Sequence, residues 1–364
     1  MAKALVGLEE PTQALVEIEK SIAADPDMPE ALLLKASLLL RLGHEDALVS
    51  TLQALVARPD ATRETFETAG LFLLLAGRLD ATRTIAEGAM RRGLHSPGLE
   101  SMARVVVRSQ NGPDWPKTYE YRSSNYDVVS DIDAATCEKA AGVLEEALLD
   151  FKVNVHALKA EATKRHYKVF LFAGKEGFLR YHSDASVMGG PLPGSIAGLY
   201  SPVLKQLLIW NLPNRDAMMR TVRHEGFHQY LDRLLPDPPV WFNEGLAVYY
   251  EGMLRVGGSL KTDTPRPDFV EYLNAAPLVP ARDFLEIRPK EFYATAPHSY
   301  AQAWLLIHMM RHGGMKYRDA YHALLKNLDT LSGPEATDVA FTDSVLASID
   351  ADLKAHLASM APKK

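Results

Sequence analysis

Along the first hundred residues, small and apolar positions return with a period near 34. Gly43 recurs as Gly77, Ala47 as Ala81, and Ala36 falls in register with the similarly small Gly70. Asp25-Pro26 and Pro59-Asp60 lie at the ends of successive units. Each unit reads as a helix such as Ala31 to Leu42, a tight turn at Leu42-Gly43, a second helix such as Glu45 to Ala57, and a proline stop. The segment before Pro26 reads as a third, partly degenerate unit. Two prolines and a glycine in Asn111-Gly-Pro-Asp-Trp-Pro116 then break the helical pattern and mark a boundary. Beyond it, Tyr119 to Ser130 is expected to be extended, and Ala134 to Phe151 to form an amphipathic helix capped by Asp133. Tyr167 to Phe172 reads as a strand, Glu176 to Tyr181 as a short helix, and Leu204 to Trp210 as a strand beside Ile196 to Tyr200. Everything after Asn214 reads as helix and loop. The predicted fold class is α+β: an all-helical part over 1–110, then over 117–364 a small mixed sheet followed by a helical half.

The repeated helix-turn-helix unit resembles the tetratricopeptide repeat over about residues 1 to 95, with Leu mostly replacing the large aromatics of that family's consensus. The resemblance implies a module that binds a protein partner or guides a substrate chain.

Composition narrows the choice of partners. The 364 residues are 47% hydrophobic and 24% charged, as in an ordinary folded protein, and the net charge of −6 has the wrong sign for a general binder of nucleic acid. Cys137 is the only cysteine, which excludes an internal disulfide and any zinc cluster built on several thiolates. No run approaches 18 uncharged apolar residues, so no membrane span is expected. The first ten residues end in two glutamates where a signal peptide would be apolar. A cytoplasmic location is the expectation as written, and export stays open if the natural N-terminus was trimmed.

The chemistry concentrates in one short stretch. Residues 224 to 228 read His-Glu-Gly-Phe-His inside a helical segment running from about Asn214 to before Pro236. On a helix, His224 and His228 lie ~40° apart around the axis and ~6 Å apart along it. Both imidazoles can therefore reach one metal ion, with Glu225 on the flank of the same face. Two His ligands with a neighbouring carboxylate are the arrangement of zinc metalloproteases. With 12 His in the chain, such a motif arises by chance roughly 3 times in 100. The next segment adds weight. Leu234-Leu-Pro-Asp-Pro-Pro239 reads as a tight reversal, and the helix after it carries Glu244 in its first turn, where it can come back as a third ligand. Zn2+ is the expected cofactor. Its fourth position would take a water, with Glu225 as general base and later proton donor to the departing amine.

His-Glu-x-x-His followed by Glu on the next helix resembles the gluzincin metallopeptidases, and Trp241-Phe-Asn-Glu-Gly-Leu-Ala247 is similar to a block of the alanyl aminopeptidases. The Gly-x-Met-Glu-Asn motif of those aminopeptidases is absent from this chain. The uncharacterised bacterial peptidase-MA-like families are a closer match. They share the strand and helix lead-in, Gly198-Leu-Tyr200, and Tyr300-Ala-Gln-Ala-Trp304, over about residues 118 to 312. The resemblance implies a thermolysin-like domain, peptide or protein substrates, and a downstream Tyr or His that stabilises the oxyanion. Tyr300 is the first choice for that role, with His298 and Tyr293 behind it and plain packing as the alternative. Asn243 is expected to cap its helix rather than orient a ligand, and His308 and His312 to be a solvated or packed pair. The glycine-rich stretch from Gly189 to Gly198 reads as the rim of a cleft. Two rival functions stand beside peptide hydrolysis: an interaction scaffold with an inactive protease-like half, and a zinc hydrolase of a non-peptide amide.

Overall fold

A computed structural model of the chain describes residues 11–26, 28–155, 166–184, 192, 196–235, 238–256, 259–261 and 264–360. Gly189 and Gly190 of the glycine-rich stretch, and Pro236 and Asp237 of the reversal, lie outside the described residues. The fold is mostly helical with a small mixed sheet, which is α+β. Its contacts divide into two compact units. One comprises Met1–Glu145 with Lys164–Val222, the other Glu146–Thr163 with Arg223–Lys364.

The first unit begins with six helices: α1 (Pro11–Ala24), α2 (Pro29–Arg41), α3 (Glu45–Ala57), α4 (Arg63–Leu75), α5 (Leu79–Arg91) and α6 (Pro97–Asn111). Helices α2, α4 and α5 end in the same way, with Gly43, Gly77 and Gly93 at φ of 69°, 69° and 76°. In each, the glycine N–H and the N–H after it turn back onto carbonyls of the last helical turn, as in His44 to Leu39 at 2.9 Å and Arg78 to Leu73 at 2.8 Å. Only a residue without Cβ takes that left-handed conformation cheaply, which is why glycine stands at these positions. Apolar faces of α2 to α6 close into one core around Leu39, Leu52, Phe66, Leu73 and Ile85, while Ala14 and Ile18 of α1 pack with Ala31 and Leu38 of α2 in a second cluster.

The sheet of the first unit has the order β1-β2-β3-β5-β4. Strands β1 (Tyr119–Arg122) and β2 (Tyr126–Ser130) form an antiparallel hairpin; β3 (Tyr167–Phe172) runs parallel to both β2 and β5 (Gln206–Trp210); β4 (Gly198–Ser201) closes the edge antiparallel to β5. Between β2 and β3 the chain passes through α7 (Ala134–Asn154), whose start is capped by Asp133 accepting from the Thr136 N–H at 2.6 Å. Helix α8 (Lys175–Asp184) follows β3. One face of the sheet is covered by α4 and α6: Leu74, Met102 and Val105 share a core with Phe170, Phe172 and Leu208. Gln206 donates from Nε2 to the Ser109 carbonyl at 2.8 Å and accepts from the Tyr181 hydroxyl at 2.8 Å, so the polar side chain buried in this core is paired.

Helix α9 (Arg215–Leu231) starts at Asn214, whose side chain accepts from the N–H groups of Asp216 and Ala217. The second unit holds its later part, then α10 (Val240–Glu251), α11 (Pro267–Ala275), α12 (Ala281–Leu285), α13 (Pro289–Ala294), α14 (Ala296–His312), α15 (Met315–Leu328), α16 (Gly333–Ala340) and α17 (Asp343–Ser359). Two expectations need correction here. Strands β6 (Leu254–Val256) and β7 (Ser259–Lys261) pair antiparallel in a region expected to lack strands. The helix that the sequence pattern opens at Tyr300 and runs to Met310 starts a turn earlier, at Ala296, because Pro297 fits the first helical turn, where its missing N–H leaves no bond unmade.

Candidate metal centre

Helix α10 is buried along nearly its whole length, Glu244 included. Its approach to α14 depends on Gly245. A Cβ there would stand 2.8 Å from Ile307 Cγ1 and 2.9 Å from the Ala303 carbonyl oxygen. On the α9 side, the Arg223 guanidinium donates to the carbonyls of Tyr250, Glu251 and Met253. It thereby satisfies acceptors that the end of α10 leaves without helical partners. Phe227 and Tyr250 pack with Phe151 behind this contact, at ring separations of 5.4 and 4.6 Å from it. The residue before His224 and the residue after Glu244 therefore hold the two helices in place.

Within this frame three ligand atoms converge. His224 Nε2 lies 3.2 Å from His228 Nε2, and Glu244 Oε2 lies 3.7 Å from the first and 3.5 Å from the second. A tetrahedral ion with ligand distances of about 2.0–2.1 Å sets its ligand atoms ~3.3–3.4 Å apart. Glu244 is 5% exposed, yet its Oε2 is buried without a hydrogen bond. An acceptor left bare in this way is destabilising unless a cation completes it. The three residues thus fit a divalent metal, and they are the group of His, Cys, Asp and Glu able to hold one among the described residues.

The far sides of both imidazoles are held as well. His228 Nδ1 lies 2.8 Å from Asn243 Oδ1, and His224 Nδ1 lies 3.4 Å from Glu251 Oε2. With these oxygens as acceptors the Nδ1 atoms carry the protons, and the Nε2 lone pairs face inward. Asn243 therefore holds the His228 ring rather than capping its helix; it sits inside α10, whose cap position is Pro239. Glu251 in turn lies 3.7 Å from Arg266. Neither Asn243 nor Glu251 could be assigned this part from the sequence, because no spacing rule singles them out.

Burial disfavours charge on His224, but the Glu244 and Glu251 carboxylates outweigh it and raise its pKa to about 10. Burial likewise opposes charge on His228, and Glu244 again reverses the effect. Glu244 is pushed up by burial and pulled well below the carboxylate range by His228 and His224. The Glu244 carboxylate thus favours positive charge beside it, whereas His224 and His228 oppose charge on one another.

Glu225 is half-buried, and its charge reaches His224, His228, Tyr293 and Tyr300. The Tyr293 hydroxyl donates to Glu244 Oε1 at 2.7 Å. Tyr300 stands 6.4 Å from His224 by ring centroids. Burial first, then the Glu244 charge, raises both phenols and keeps them protonated donors. His298 turns elsewhere, to Gln302 at 3.1 Å. Of the His pair on α14, His308 is buried 3.0 Å from His356, whereas His312 is exposed and lies 2.7 Å from the Tyr249 hydroxyl.

No family model and no curated protein sequence matches this chain. The geometry of the site stands by itself.

Among the described residues, no helix is long and apolar enough to cross a membrane. Cys137 is buried, and burial pushes its thiol up to about 11, so it is a packed side chain rather than a thiolate.

Proposed function

We propose that the protein is a zinc-dependent peptidase of gluzincin type, and that its N-terminal helices form a tetratricopeptide-like array that binds a partner or substrate protein. The observation that carries the enzymatic reading is the buried, unbonded Glu244 Oε2 set against two inward-facing imidazoles, with Glu225 next in sequence to the first of them. Zinc held by His224, His228 and Glu244 would polarise the scissile carbonyl and lower the pKa of a water toward ~7. Glu225 would be the base for that water's proton and the donor to the departing amine. Tyr300, kept protonated, is the donor available to the oxyanion, because the Tyr293 hydroxyl is already donated to Glu244. The array is supported by the shared glycine closure of α2, α4 and α5.

The test pairs metal content with turnover of blocked peptides. The wild type should hold one zinc per chain and hydrolyse them. Glu225→Gln should keep the metal and the fold while kcat falls by ~10³-fold or more, because the amide cannot take the proton. A Glu225→Gln variant with near wild-type turnover, or full zinc occupancy in His228→Ala, overturns the assignment. A protein that holds zinc but cleaves no peptide favours a non-peptide amide, and one that holds no zinc favours a scaffold.

A further inference from the structure

A cleft of about 550 Å³ opens against the metal centre, with His224 and Tyr300 in its wall. That is the size range of pockets that enclose a small ligand or a large side chain with its neighbours. Most of the remaining lining is hydrocarbon or aromatic: Val248 from α10, Phe269 and Tyr272 from α11, and Ala296 and Pro297 from the start of α14. Two carboxylates, Glu251 and Asp268, also face it.

Those carboxylates decide what the cleft accepts. Asp268 is gripped by Arg266 through two hydrogen bonds, of 3.1 and 2.7 Å. Glu251 lies between His224 Nδ1 at 3.4 Å and Arg266 at 3.7 Å. The same guanidinium stacks 4.1 Å over the Phe269 ring. A cationic side chain entering the cleft would compete with Arg266 for both acids, and an anionic one would meet them. Neutral apolar surface meets neither obstacle and displaces water from Phe269, Tyr272 and Pro297.

We infer that this cleft selects, beside the bond to be cut, an aromatic or large aliphatic side chain of a peptide substrate. The inference rests on the peptidase reading for the bond, but the side-chain preference belongs to the cleft alone and can be read by binding.

The probes are blocked pentapeptides, acetyl-Gly-Gly-Xaa-Gly-Gly-amide, in which Xaa is Phe, Leu, Ala, Lys or Glu. Binding is measured by calorimetry on the Glu225→Gln protein, and kcat/KM on the zinc-loaded wild type. The Phe and Leu peptides are expected to bind ~20-fold or more tightly than the Ala peptide, from burying most of the ~100 Å² of apolar surface by which Phe exceeds Ala. The Lys and Glu peptides should do no better than Ala. Ala296→Trp, which fills the cleft, and Tyr272→Ala, which removes a half-exposed wall, should each bring the Phe-to-Ala ratio below ~5-fold. Tyr272→Ala alters an exposed side chain and guards against a folding failure of the first variant. Equal binding of all five peptides, a preference for Lys or Glu, or no binding at all overturns the inference. Selective binding of Phe without cleavage sustains the cleft and defeats the peptidase reading. Cleavage indifferent to Xaa does the reverse.

Discussion

Replacing Asn243 by alanine removes the acceptor that holds His228. The Nδ1 to Oδ1 distance is 2.8 Å, and the His228 side chain is only 13% exposed, so solvent offers little replacement. A buried donor left without its partner costs about 1–3 kcal/mol. At about 1.4 kcal/mol per tenfold, that predicts zinc affinity reduced ~5- to 150-fold, and loss of comparable outer partners costs ~10- to 100-fold. Competition with a chromogenic zinc chelator at pH 7 measures the change, with circular dichroism to confirm that the fold is kept. Asn243→Asp keeps an acceptor in place and adds a charge facing the imidazole, so it should bind zinc at least as tightly as the wild type. Wild-type affinity in Asn243→Ala would refute the argument. So would equal weakening in the alanine and aspartate variants, because side-chain packing rather than the hydrogen bond would then be the cause.

The two tyrosines should separate kinetically. Tyr300→Phe should lower kcat ~10²-fold with KM little changed, whereas Tyr293→Phe frees Glu244 Oε1 and should first weaken zinc retention; the opposite pattern exchanges their roles. Gly245→Ala should destabilise the fold by about 1–3 kcal/mol through overpacking and so lower the melting temperature, since its Cβ meets a backbone carbonyl 2.9 Å away; an unchanged melting curve would show that α10 and α14 can part freely. In metal-free protein the pKa of His224 is raised from 6.5 to about 10, so protonation of this group stabilises the fold fully below about pH 6.5 and the contribution fades as pH rises through 10. Thermal melts after chelation should therefore fall over that window while the zinc-loaded protein changes less, and a metal-free melt that rises with pH would contradict the sign.

Much of the candidate site was legible because it is local. The i, i+4 spacing of His224 and His228 places both on one helical face whatever surrounds them. The proline-marked reversal before Val240 was enough to expect Glu244 opposite them. Strand Tyr167–Phe172, the helix Glu45–Ala57 and the glycine turns were likewise readable, since side-chain alternation, helical period and left-handed φ are properties of a few consecutive residues. Tertiary structure alone decided the rest. Asn243 read as a cap because Asn favours caps, yet only the packing of α10 on α9 shows that its side chain meets His228. Glu251, a full turn and more beyond Glu244, reaches His224 for the same reason. Tyr293 touches Glu244, and His298 turns to Gln302, through the course of α13 and α14. The face of α4 and α6 that covers β3 and β5 was also hidden, because an apolar stripe states that a surface will be buried and not against what. Helical period is written in neighbouring residues. Which helix faces which is set by contacts such as Gly245 against Ala303, between residues far apart in the chain.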